Sequence, residues 1–136
     1  MIKEDYVSFE IAELLKEKGF EGECQCFYEI SPEDGITRVC GTDCHDNKKR
    51  MFEYSRPTLQ MAMKWLREKH NKIIVPGIRV DDQTSSIINC YIVGIWYVPK
   101  NNGGAFCYTS PTPYNGYSSF EEACEAGIKY CLENLI

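Results

Sequence analysis

The sequence predicts an α+β fold, in which an antiparallel β-sheet carries three helices packed mainly on one face. Three observations lead there. Three segments, residues 9–18, 57–70 and 120–135, repeat apolar side chains at the spacing of a helix face. Between them lie β-branched and aromatic runs bounded by Gly, Pro, Asn and Asp, enough for roughly four to six strands. The chain has 136 residues, 43% hydrophobic and 26% charged, which suits one core, so residues 1–136 read as a single domain.

Taken in order, Ser8 is the N-cap of a first helix whose apolar side holds Phe9, Ile11, Ala12, Leu14 and Leu15. Gly19 supplies the left-handed residue that ends it. Residues 24–30 have strand composition, 31–35 form a turn cluster, and 36–40 return as a second strand. Residues 41–49 then read as polar loop, and 51–54 as a short third strand. The central helix, 57–70, has the widest apolar surface: Leu59, Met61, Ala62, Met63, Trp65 and Leu66 point inward, leaving Gln60, Lys64, Arg67 and Glu68 to water. Pro76 and Gly77 mark residues 72–80 as an edge or bulged strand. Residues 87–98 form the strongest strand, expected to be buried on much of both faces. Residues 101–104 are a hairpin signal leading into 105–109. Ser119 and Glu122 form a capping box for a last helix with Phe120, Ala123, Cys124, Gly127, Ile128, Cys131, Leu132 and Leu135 inward.

All three helix starts pair a hydroxyl with an apolar first residue and a small fourth: Ser8 with Phe9 and Ala12, Thr58 with Leu59 and Ala62, Ser119 with Phe120 and Ala123. Residues 24–70 and 73–136 also share a strands-then-helix order. Two ββ(β)α halves after an N-terminal helix would account for both; the plainer account is that such caps recur in unrelated helices by chemistry alone.

Composition narrows the function classes. A net charge of −5 and a pI near 5.1 disfavour nucleic acid as a partner, because phosphate affinity comes from neutralising charge. The basic residues Lys48, Lys49, Arg50 and Arg56, with Lys64, Arg67, Lys69 and Lys72, read as solvated loop and helix surface. Residues 87–98 are too short for a membrane span and carry Asn89. The first six residues are polar where a signal peptide is apolar, so the expected location is the cytoplasm. In that compartment the eight cysteines are expected mostly as thiols.

Cys24, Cys26, Cys40, Cys44 and His45 are the one ligand-rich cluster, and thiolate with imidazole is zinc chemistry. Small buried hydrophobes beside a polar turn explain the same residues, so no metal or cofactor is expected. His70 reads as a helix C-terminal charge, and Cys124 and Cys131 as core. No phosphate loop, HExxH or GxSxG pattern is present, and no catalytic residue is named. The aromatic connector 99–117, with Phe106, Tyr108, Tyr114 and Tyr117, reads equally as a partner-binding surface and as a lid over the core; a partner is expected to engage either this loop or the sheet.

Residues 7–20 (VSFEIAELLKEKGF), 57–68 and 121–136 (EEACEAGIKYCLENLI) resemble a family of small uncharacterised proteins from gut bacteria and their phages or mobile elements. That resemblance implies no activity, cofactor or catalytic residue, and it implies that Cys24, Cys26, Cys40 and Cys44 lie outside the shared pattern. The C-terminal half is also similar to small antitoxin-type ββ(β)α domains. The expected function is a non-enzymatic protein-interaction or regulatory module with a protein partner. The alternatives are an antitoxin-like, nucleic-acid-linked regulator and a zinc-stabilised module.

Overall fold

A computed structural model describes residues 4–47, 51–79, 91–99 and 104–136. The order of elements is α1 (Phe9–Glu17), β1 (Cys24–Ile30), β2 (Thr37–His45), β3 (Glu53–Ser55), α2 (Leu59–His70), β4 (Lys72–Ile78), β5 (Tyr91–Tyr97), β6 (Cys107–Thr109) and α3 (Phe120–Tyr130), closed by a π-helical turn (Cys131–Leu135). The class is α+β and the pairing antiparallel, as expected. The strands form two three-stranded sheets, however, where one was expected. The chain divides into two compact units, Met1–Trp65 and Leu66–Ile136.

In the first unit, Ser8 Oγ accepts the Ile11 N–H at 3.3 Å and Gly19 takes φ +88°, so α1 starts and stops where its cap and glycine require. Ile11, Ala12 and Leu15 are buried, and Phe9 presents its ring edge-on to Tyr28 and Tyr54, with centroids 5.5 and 5.3 Å away. The sheet order is β2-β1-β3. The expected loop after residue 40 is corrected: β2 continues to His45. Between the pairs Cys26↔Gly41 and Cys24↔His45 the register shifts, and β2 bulges to absorb its extra residues. Gly41 and Thr42 read as chain breakers locally, but a glycine within a strand also marks a bulge.

In the second unit, Asn71 at φ +53° turns the chain out of α2 and directly into β4. The sheet order is β4-β5-β6, with Pro76 on an edge strand as expected. Residues 80–90 and 100–103, which include the ends of two expected strands and most of the hairpin signal, lie outside the described residues, as do 48–50. Directly opposed residues share a face, so Ile74 and Ile95, with Pro76 and Val93, lie on one side of the sheet. That side meets α3 through Gly127, whose missing side chain leaves room for the Ile74 and Val93 methyl groups. Val93, Ile95, Ala123, Cys124, Ile128, Cys131 and Leu132 are buried there. On the other face of β5, Gly94 is buried beneath Tyr108 and Ile92 half-buried, as the expected two-sided burial requires, but Trp96 is exposed. Phe120 and Met61, expected inward, are also exposed.

Each of the four described sheet edges carries a feature that discourages further strand pairing. β3 and β6 are three residues long, β4 contains Pro76, and β2 is bulged.

Candidate functional site

The cysteine cluster does not converge. Cys24 is buried, Cys26 and Cys40 are half-buried and Cys44 is exposed. Among the described residues, no three His, Cys, Asp or Glu side chains gather in a way that could hold a metal ion. None of the seven described cysteines is in a disulfide. Burial pushes the Cys24 thiol up to about 11, and desolvation with nearby carboxylates raises Cys40 and Cys44. Activated thiols show the opposite shift.

His45 finds partners on β1 and β3. Its Nδ1 lies 2.8 Å from Ser55 Oγ, and its Nε2 is 3.9 Å from a Glu53 carboxylate oxygen. Phe27 stacks on the imidazole at 4.4 Å. Asn47 completes the arrangement: its side-chain oxygen accepts the Ser55 N–H at 2.9 Å and its amide donates to the Phe20 carbonyl at 3.1 Å. Serine, histidine and glutamate in contact suggest a nucleophilic triad by residue type. Their burial argues for another role, since Ser55 is wholly inaccessible and a nucleophile must reach a substrate. The group ties β2 to β3 across the N-terminal end of β1, where the bulge has disturbed the backbone ladder. Sequence reasoning missed it because Ser55 stands ten residues from His45 and carries no motif.

Of the four expected partner-binding aromatics, three are open to solvent. Phe106 is 66% exposed, Tyr108 54% and Tyr114 93%. Tyr117 is instead structural. Its backbone exchanges hydrogen bonds with Tyr91 at 2.8 and 3.3 Å, and its hydroxyl donates to the Pro111 carbonyl at 3.1 Å. Burial raises its pKa, with Glu122 adding to the effect. The segment between Tyr108 and Tyr117 is held by hydroxyls that replace a strand ladder: Val93 N donates to Thr112 Oγ1 at 3.0 Å, and Ser110 Oγ donates to the Val93 carbonyl at 2.7 Å.

Tyr108 belongs to a larger surface. Ile73, Trp96 and Tyr108 are direct cross-strand neighbours, flanked by the pairs Val75↔Gly94 and Gly77↔Ile92 on the same face. The Trp96 and Tyr108 rings lie 4.9 Å apart, and Trp96 is 45% exposed. Tyr108 reaches over Gly94, where even a methyl group would meet its ring. Among the described residues, none of the paired strand positions on this face is charged. The alternation of Ile73 and Val75 with Ile74 was a readable sign of two apolar faces on β4; that only one would be covered was not readable.

No protein-family model, curated protein or solved structure matches this chain.

Proposed function

We propose that the chain is a non-enzymatic binding module whose docking surface is the outer face of the β4-β5-β6 sheet. The observation that carries this reading is the row of Ile73, Trp96 and Tyr108, exposed on a three-stranded face whose paired strand positions, among the described residues, carry no charge. Exposed apolar patches rimmed by polar surface are where proteins bind one another. Such a face offers nothing to phosphate, so the antitoxin-like nucleic-acid reading draws no support from it. The dispersed cysteines give the zinc reading none. The expected kinship of residues 7–20, 57–68 and 121–136 with gut-bacterial and phage proteins implies no activity and adds nothing to this reading beyond directing the search for a partner to bacterial cells.

Affinity capture from bacterial cells tests the proposal, with the wild type compared against a Trp96→Ala/Tyr108→Ala variant and a Tyr114→Ala control. Proteins retained by the wild type and the control, and lost from the double variant, support the sheet face. Identical retention by all three forms contradicts it.

A further inference from the structure

We infer that the partner of the outer β4-β5-β6 face is a proline-rich segment in the polyproline II conformation. This inference rests on the proposed function and names the chemistry of the partner. The size of the face sets the first constraint. The exposed parts of Ile73, Val75, Trp96 and Tyr108 amount to on the order of 400 Å², about half of the ~800 Å² that each protein gives to a standard interface. A folded partner needs more, whereas a few residues of extended chain cover this much.

Hydrogen-bonding character selects among extended chains. Apart from Trp96 and Tyr108, the paired strand positions on this face carry only Ile, Val and Gly. Neither the Trp96 indole N–H nor the Tyr108 hydroxyl has a hydrogen-bond partner among the described residues. The face thus offers two donors and aromatic surface, with no side-chain carbonyl, carboxylate or ammonium. An ordinary extended segment brings an N–H at every residue, and those turned towards the sheet would lose water without gaining an acceptor. Proline has no N–H, and the carbonyls of polyproline II are unbonded within the chain, so a proline-rich segment brings acceptors to the two donors. Such a segment is also stiff before it binds, which keeps the loss of conformational entropy small. The rings complete the match. Trp96 and Tyr108 lie 4.9 Å apart and are inclined at 53°, with the hydroxyl end of Tyr108 over Gly94. Polyproline II has about three residues per turn, so neighbouring pyrrolidine rings point in different directions and pack on differently oriented aromatic surfaces.

Heteronuclear NMR of the full chain tests this, because the indole N–H signals of Trp65 and Trp96 are the only two of their kind. During titration with decaproline to millimolar concentration, the Trp96 signal should shift saturably while that of Trp65 stays in place. A glycine–serine decapeptide should move neither. In fluorescence anisotropy with labelled decaproline, Trp96→Phe and Tyr108→Phe, which keep a ring and lose the donor, should each weaken binding several-fold. Trp96→Ala should weaken it about tenfold or more, with an unchanged circular dichroism spectrum. No shift with decaproline, an equal response to the glycine–serine peptide, or undiminished affinity in Trp96→Ala overturns the inference. Failure of the parent reading looks different. Equal capture of cellular proteins by the wild type and the Trp96→Ala/Tyr108→Ala variant removes the binding face itself. Proteins captured through that face but not displaced by decaproline overturn only the proline-rich partner.

Discussion

His45 shows how far the identity of a residue can mislead about its role. In the sequence it stands next to Cys44 and suggests a ligand; in the fold it bonds to Ser55, stacks on Phe27 and leaves Cys44 in solvent. Replacing Ser55 with Ala removes a buried hydroxyl–imidazole hydrogen bond, and the expected loss is about 1–3 kcal/mol in urea unfolding. A triad serving catalysis rather than structure would give a stable variant instead. The cysteines divide in the same way by surroundings. Cys44 is exposed, whereas burial raises Cys24 to about 11 and Cys131 to about 12. Ellman's reagent at pH 8 should therefore label Cys44 in the folded protein. Cys24 and Cys131 should react only at the rate of unfolding.

Among the elements, α3 is the one most dependent on a single position. A glycine within a helix is about 1 kcal/mol worse than alanine by propensity alone. At Gly127, however, an added Cβ would stand 2.9 Å from methyl groups of both Ile74 and Val93. These belong to stiff β-branched side chains on a sheet, so they cannot swing aside. Gly127→Leu should lower stability by about 2–3 kcal/mol, read as a fall in the urea midpoint. Gly94→Ala is the instructive contrast, because the atoms it meets are the far end of the Tyr108 ring, which can rotate away. Helix starts were legible at this scale. Ser8, Thr58 and Ser119 each accept the N–H three residues on, at 3.3, 3.2 and 3.1 Å, and Ala12, Ala62 and Ala123 are all buried. The capping box was only partly so, since Glu122 reaches back to the N–H and hydroxyl of Ser118 rather than to Ser119. Strand β1 was legible to its ends, being a β-rich run between a glycine and a turn. The course of β2 was not, because its length is set by pairing with β1 through a bulge.

The pH response belongs to the whole molecule. Cys24 and Cys131 have folded pKa values above the ordinary 9.0 of a thiol, so above that value the unfolded chain loses protons that the folded chain keeps. Stability is then constant up to about pH 9 and falls as pH rises towards 11 and 12. Tyr117 acts in the same sense. Lys16, whose ammonium is disfavoured by burial, acts in the opposite one. The net expectation is a lower urea midpoint at pH 10 than at pH 8, with the decline reduced in Cys131→Val. An equal midpoint at both values would mean that the thiols are more hydrated than their surroundings imply.

Local chemistry determined the α+β class, the helix boundaries and the edge position of Pro76, because periodicity, caps and a missing N–H act within a few residues of the chain. Tertiary structure alone decided that the strands form two sheets, that His45 meets Ser55, and that α3 covers one face of β5 while leaving Trp96 and Tyr108 in water. Those outcomes depend on which distant surfaces meet, and an apolar residue carries the same signal whether its face is covered by its own chain or left for another.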